Sequence, residues 1–111
     1  MKRIWNALLV SLAGLRSAWK GEAAFRQEVF LAAILLPAAW VIAQDDREFA
    51  LLALPVFIVL IAELINTAIE AAVDHTSENE HPLAKKAKDA ASAAVFLSLA
   101  LLAAVWSVML F

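Results

Sequence analysis

The chain has 111 residues, 64% of them hydrophobic, a formal net charge of −2 and no cysteine. Because soluble domains are only roughly 45–50% apolar and so short a chain cannot cover more apolar side chain with polar surface, the composition predicts a single unit embedded in a lipid membrane. It excludes a disulfide framework and a thiolate metal site, and it provides no basic excess that would bind nucleic acid.

Residues 2–24 are predicted to form an amphipathic helix. At about 100° per residue, aliphatic and aromatic side chains fall on one face and Lys2, Arg3 and Lys20 on the other, with Val10 as an exception on the polar side. A helix with this distribution suits the plane of a membrane interface. The apolar face consists of Ile4, Trp5, Leu8, Leu9, Leu12, Leu15 and Trp19.

Three later segments are predicted to span the membrane: residues 25–43, 49–74 and 90–111. The uncharged part of the first, residues 29–43, is short against the roughly 20 residues that a span needs, so its helix is expected to begin near Ala23. Pro37 lies inside this span and predicts a kink. Pro82 is expected in the first turn of the helix that leads into the third span.

The distribution of Lys and Arg predicts the orientation. Five basic residues precede the uncharged part of the first span, with Arg26 as the last of them, whereas Arg47 is alone in the first loop and three lysines lie in the second loop. Since loops rich in Lys and Arg remain in the cytoplasm, the N-terminus and the second loop are predicted to be cytoplasmic. The C-terminus is then on the other side.

A stripe of polar residues in the second span is the strongest chemical signal. Glu63, Asn66, Thr67, Glu70 and Asp74 fall within an arc of roughly 100° on one helix face. A carboxylate at membrane depth costs at least about 2.5–3.5 kcal/mol, so the stripe must face protein, water or a cation. It could form a hydrogen-bonded seam between helices, a pathway for protons or ions, or a site for a divalent cation that carries a polyphosphate.

The order of the residues along the stripe suits the third possibility, with a proton or ion pathway as its natural rival. The helical rise places Glu63 about 10 Å deeper than Glu70. That spacing separates a deep carboxylate, able to accept a proton from a buried hydroxyl, from a shallower one near an aqueous metal ion. With only Gly14 and Gly21 in the chain, a glycine-rich phosphate loop is excluded.

Two further polar groups flank the spans. Glu22 and Arg26 have the spacing of an i,i+4 pair at the start of the first span, although such residues can simply snorkel to the interface. Lys88 and Ser92 begin the third span, where Lys88 could meet phosphate or could simply anchor the helix on the positive side. His75 and His81 form only a weak case for a metal site.

These motifs together resemble the bacterial diacylglycerol kinase family. The resemblance rests on Glu22-Ala-Ala-Phe-Arg-Gln-Glu28, on Ala62-Glu-Leu-Ile-Asn-Thr-Ala-Ile-Glu-Ala-Ala-Val-Asp74, and on Ala87-Lys-Asp89 followed by Ser92-Ala-Ala-Val95. The motifs are collinear with the family's spacing from about Arg3 to the C-terminus, so the resemblance covers nearly the whole chain.

The resemblance implies an all-α membrane protein of the bacterial inner membrane, with one interfacial helix and three transmembrane helices per protomer. It also implies a homotrimer whose active sites are shared between protomers. The reaction would be ATP-dependent phosphorylation of diacylglycerol to phosphatidic acid, with Mg²⁺ as cofactor. A polyprenol kinase acting on undecaprenol, a non-enzymatic proton or ion pathway, and a purely structural helical oligomer remain the alternatives.

The resemblance also implies roles for individual residues. Glu63 would be the general base with Asn66 beside the phosphates, and Glu22 and Glu70 would hold the magnesium ions. The nucleotide contacts would be Arg3, Val10, Glu22, Glu70, Asn79, Glu80, His81, Lys88 and Asp89. The lipid-headgroup contacts would be Arg16, Trp19, Arg26, Gln27, Glu28, Glu63 and Ser92. The chain departs from the family at Val10 and Leu12, where aromatics are common, and at Glu80, where a tyrosine is usual.

Overall fold

The computed structural model describes residues 1–76 and 81–111, and within these ranges the chain folds into four α-helices. They are α1 (Lys2–Gly21), α2 (Ala23–Ile42), α3 (Asp46–Thr76) and α4 (Pro82–Leu110). Two of the predicted nucleotide contacts, Asn79 and Glu80, lie outside the described residues.

Helices α2, α3 and α4 are each long and apolar enough to cross a membrane, which confirms the predicted all-α membrane architecture. With 31 residues, α3 is about 46 Å long, well beyond the roughly 30 Å thickness of a hydrocarbon core. It extends further at both ends than the apolar pattern of its sequence indicates, because the polar residues that flank a span can remain helical in the headgroup region. Likewise, α4 begins at Pro82, so Lys88 lies in its second turn.

Helix α3 is the centre of the packing, in contact with α2 on one side and α4 on the other. The core where the three helices meet is formed by Ala32 of α2, Val56 and Val59 of α3, and Leu102 of α4. Most other apolar side chains of the spans remain exposed in the isolated chain, as expected of surfaces that contact lipid or further protein.

A tryptophan near the C-terminal end of α4 forms a hydrogen bond with the N-terminal part of α3, on the side that the predicted topology places away from the cytoplasm. The indole Nε1 of Trp106 donates a hydrogen bond of 3.0 Å to the carbonyl oxygen of Leu52. Pro55 lies one turn further along α3 and has no N–H to donate to the preceding turn. Pro55 leaves the carbonyl of Leu51 without its helical donor, so the indole bond to the next carbonyl, that of Leu52, does not replace the missing bond but ties α4 to α3 at the same turn.

The α2–α3 turn is closed by a capping arrangement. The Oδ1 atom of Asp45 accepts from the backbone N–H of Glu48 at 2.8 Å, and Glu48 Oε1 accepts from the N–H of Gln44 at 3.3 Å. The Asp45 carboxylate thus satisfies an N–H group that the first turn of α3 leaves without a helical partner, and the Glu48 carboxylate reaches back to the N–H of a residue before the helix. Trp40 and Phe49 pack edge to face across the same turn, with ring centroids 5.5 Å apart.

Helix α1 packs against α2 and buries only Ala18 among its residues. Ile4, Trp5 and Leu8 are all exposed, as is the rest of the apolar face predicted from the sequence. Trp19 packs against Phe30 of α2, with ring centroids 5.7 Å apart. An amphipathic helix whose apolar face otherwise remains exposed suits a membrane interface.

Candidate active site

The polar stripe of α3 is held together by the side chain of Asn66. Its Nδ2 atom donates to Glu63 Oε2 at 3.3 Å and to Glu70 Oε1 at 2.6 Å. These contacts follow from the i,i+3 and i,i+4 spacing of the three residues on one helix face. The Asn66 amide thus orients the carboxylates of Glu63 and Glu70 and lies between their like charges.

Glu63 is the most deeply placed acidic residue of this cluster, with only 5% of its surface exposed. The side chain of Glu28, from α2, lies close enough to the Glu63 carboxyl group for the two charges to interact. Two acidic side chains from different helices therefore meet in the interior next to Asn66. Such a contact is costly unless a proton, a hydroxyl group or a cation lies between the oxygens.

Two buried oxygen atoms around Glu63 have no hydrogen-bond partner within the described part of the chain. They are Glu28 Oε2 and Asn66 Oδ1. Because buried acceptors in folded proteins are nearly always paired, an unpaired acceptor on each neighbour of Glu63 indicates a place for a ligand that donates hydrogen bonds. A lipid hydroxyl is a group of this kind.

Helix α4 brings a cation to the shallow end of the stripe. The Nζ atom of Lys88 donates to Asp74 Oδ1 at 2.9 Å, and the ammonium is near enough to Glu70 to experience its charge. Asp89, the next residue, pairs with Lys85 at 2.6 Å within α4. His81 forms the N-cap of α4, since its Nδ1 accepts from the N–H of Leu83 at 3.1 Å.

Arg26 does not form the i,i+4 ion pair with Glu22 that its spacing predicts. Its guanidinium instead donates to the carbonyl oxygens of Trp19 and Lys20, at 2.7 and 3.2 Å. The last carbonyls of a helix have no helical partners, and α1 ends at Gly21, so Arg26 satisfies oxygens that would otherwise need water. Glu22 lies in the extended linkage between α1 and α2, outside either helix.

The remaining predicted contacts are spread over the surface of the single chain. Glu22 and Arg26 are half-buried, and no hydrogen bond or ion pair among the described residues connects Glu22 to the Asn66 cluster. Within the same ranges, no three acidic or histidine side chains come together as a metal cluster. The exposed predicted contacts are Arg3, Val10, Arg16, Trp19, Gln27, His81, Asp89 and Ser92.

Asp74 lies on the stripe predicted from the sequence, but none of the predicted site roles belongs to it. Its i,i+4 spacing from Glu70 was a visible signal, whereas its pairing with Lys88 depends on how α3 and α4 pack. Likewise, the proximity of Glu28 and Glu63 could not be predicted from the sequence, because the two residues are 35 positions apart and approach each other only through the packing of α2 against α3.

Comparison with known proteins identifies the family. Residues 9–110 match the family model described as prokaryotic diacylglycerol kinase. The chain is 46% identical over 110 residues to a diacylglycerol kinase of Pseudomonas aeruginosa, covering 99% of this chain and 89% of the relative. A diacylglycerol kinase of Helicobacter pylori is 49% identical over 105 residues, with 95% and 82% of the two chains covered. That of Escherichia coli K12 is 41% identical over 111 residues, with 97% and 88% covered. The chain therefore belongs to the prokaryotic diacylglycerol kinase family.

Proposed function

We propose that this protein transfers the γ-phosphoryl group of ATP to the hydroxyl group of diacylglycerol, giving phosphatidic acid at the cytoplasmic face of the bacterial inner membrane. The family assignment and the names of the relatives support a diacylglycerol kinase. The observation that carries the proposal is the buried Glu63 carboxyl, flanked by two acceptor atoms that have no partner in the described chain.

Glu63 is the general base of the reaction. The lipid hydroxyl donates its proton to the Glu63 carboxylate while its oxygen forms a bond to the γ-phosphorus, and the bond to the ADP oxygen breaks. Asn66 holds the base in place through the 3.3 Å contact with Oε2. Because phosphoryl transfer depends chiefly on positioning and charge stabilisation, a fixed base beside an ordered phosphate is the contribution the protein needs to make.

Glu22 and Glu70 would hold Mg²⁺ together with the phosphates. Magnesium binds oxygen ligands and is usually held by one or two carboxylates in addition to phosphate oxygens. The two glutamates fit this donor set, and Glu70 is already oriented by the 2.6 Å hydrogen bond from Asn66. When bound, the ion would neutralise charge on the phosphate oxygens. A three-residue metal cluster is not required for this kind of binding.

Two groups of residues would bind the substrates. Lys88 would contact the nucleotide phosphates as a positive charge beside Glu70. The lipid would enter between α1 and the spans, where the exposed apolar face of α1 lies in the headgroup region. The other proposed nucleotide contacts are Arg3, Val10, Asn79, Glu80, His81 and Asp89, and the other lipid contacts are Arg16, Trp19, Arg26, Gln27, Glu28 and Ser92.

A homotrimer with shared active sites and a cytoplasmic N-terminus completes the proposal. In a single chain, Asn66 and Glu70 are only half-buried, and at most 33% of the most apolar part of any span is buried. Partial burial of polar residues at membrane depth is costly, so a second protomer that covers the stripe would stabilise it. Glu22, which is not connected to the cluster within one chain, could then act on a neighbouring site.

The direct test uses purified protein in micelles that contain either diacylglycerol or undecaprenol, with ATP labelled at the γ-position. We expect labelled phosphatidic acid from the wild-type protein and almost none from the Glu63→Gln variant. Glu48→Gln, the same substitution in the first turn of α3 and away from the site, serves as the matched control. A labelled product with undecaprenol alone would establish a polyprenol kinase, and no labelled lipid of either kind would favour a non-enzymatic protein.

A further inference from the structure

One ion pair of the candidate site connects two helices. In the part of the chain that the structure describes, there are two ion pairs, and Lys85–Asp89 lies within a single helix. The other, Lys88–Asp74, connects the start of α4 to the end of α3 at 2.9 Å. Asp74 has no role in the proposed reaction, yet it holds the lysine that we assign to the phosphates.

The pair contributes little to holding the helices together. The side chains of Lys88 and Asp74 are 41% and 64% exposed, and ion pairs that are so open to solvent add little stability. The packing of α3 against α4 comes instead from apolar contacts such as those of Val59 and Leu102 deeper in the bundle. A role in placing a functional group explains the contact better than a role in stability.

The chemistry of lysine shows what such placement achieves. An ammonium group has three N–H donors on a long, flexible stem, so an unrestrained lysine samples many positions. Asp74 accepts from one of these donors, and the other two have no hydrogen-bond partner among residues 1–76 and 81–111. Asp74 lies one helical turn beyond Glu70 on the same face of α3, so the ammonium that it holds is close to the end of the stripe where the nucleotide phosphates are proposed to bind.

We propose that Asp74 is a positioning residue for phosphoryl transfer, holding the Lys88 ammonium beside Glu70 so that its free N–H donors meet the nucleotide phosphates. Asp74 acts through Lys88, since its own carboxylate would repel the phosphate charge. This inference rests on the proposed function and extends it to a residue outside the proposed substrate and metal contacts.

A double-mutant cycle tests the inference. We would compare Asp74→Ala, Lys88→Ala and the double variant for kcat, for KM of Mg-ATP at saturating lipid, and for binding of Mg-ADP by fluorescence or calorimetry. Asp74→Ala should raise the KM of Mg-ATP and the Kd of Mg-ADP on the order of 3- to 10-fold. In the Lys88→Ala background, the same change should shift neither value by more than about twofold.

Two further variants separate positioning from other roles. Asp74→Asn keeps the size of the side chain and one acceptor oxygen, so its nucleotide affinity should lie between those of wild type and Asp74→Ala even if the alanine variant folds poorly. Asp46→Asn removes the same charge from the exposed opposite end of α3 and should leave the KM of Mg-ATP unchanged.

Several results would overturn the inference. Additive effects of Asp74→Ala and Lys88→Ala on nucleotide affinity would show that the two residues act independently. A weaker apparent affinity for free Mg²⁺ with unchanged nucleotide affinity would make Asp74 a metal ligand, and a lower Tm with wild-type kinetics would make it a structural brace. Wild-type protein that phosphorylates no lipid would instead overturn the proposed function, while Mg-ADP binding would still test the Asp74–Lys88 coupling.

Discussion

Replacing Glu63 by glutamine is the most informative perturbation of the proposed mechanism. Glutamine keeps the length of the side chain and one oxygen atom that can accept the hydrogen bond that Asn66 Nδ2 donates to Glu63 at 3.3 Å. What it removes is the ability to accept a proton from the lipid hydroxyl. Loss of a general base costs about 10²–10⁴-fold in rate, which corresponds to about 2.7–5.5 kcal/mol in activation free energy.

The fold should survive this substitution. Glu63 is 5% exposed and lies close enough to the carboxyl group of Glu28 for their charges to interact, so removing its charge also removes a desolvation cost and a like-charge repulsion. The free energy of unfolding is therefore expected to stay the same or to rise. Size-exclusion chromatography and thermal unfolding in detergent would check that the variant keeps the oligomeric state and the Tm of wild type.

The assay is kcat for lipid phosphorylation with saturating Mg-ATP and diacylglycerol, with KM for Mg-ATP as the companion measurement. We expect kcat to fall by the stated factor while KM stays near that of wild type. Glu63→Asp is a useful comparison because it keeps the basicity but withdraws the carboxylate by about one bond length, and misplacement by about 1 Å can cost 10²-fold. A folded Glu63→Gln protein with near-normal kcat would refute the assignment of the base, even if lipid phosphorylation itself were confirmed.

Three further predictions concern the metal, the assembly and the topology. Glu70→Gln should weaken the apparent affinity for Mg²⁺ as well as the rate, and an unchanged magnesium titration would show that Glu70 is not a metal ligand. Mixed oligomers of inactive Glu22→Gln and Glu70→Gln protomers should recover part of the activity if sites are shared, whereas verified mixtures without recovery would place each site within one chain. A reporter fused after Phe111 should be active only outside the cytoplasm, and a cytoplasmic signal would contradict the three-span topology.

Local periodicity explains how much of the site the sequence could predict. Glu63, Asn66 and Glu70 lie on successive turns of one helix face, so their contacts follow from helical geometry alone once α3 is predicted. The family motifs then supplied roles that spacing could not. The three apolar spans could be predicted from the sequence equally well, because a helix in lipid must carry an apolar surface along its length.

Contacts between helices could not be predicted from the sequence in the same way. The Lys88–Asp74 pair and the bond from Trp106 to the Leu52 carbonyl depend on the rotation and register with which α3 and α4 pack. Arg26 illustrates the reverse case, where an i,i+4 pattern predicted a local ion pair but the free carbonyls at the end of α1 were the better partners. A periodic pattern names the residues on a face, whereas packing decides which of them meet.

The burial of the acidic residues along α3 changes in step with the chemistry proposed for each. Glu63 is buried, Glu70 is half-buried, and Asp74 is exposed, over a helical rise of about 16 Å. A kinase that joins a lipid to a nucleotide must bring an apolar acceptor and a polyanionic donor to one place, although each is soluble in a different phase. Under the proposed mechanism, a single helix that runs from lipid depth to the aqueous surface would solve this problem, because its buried residues would accept a proton from the lipid hydroxyl while its exposed end would order cations around phosphate. The same argument explains why α3 extends past the hydrocarbon core, since a helix that ended at the membrane boundary would have no place for Glu70 and Asp74.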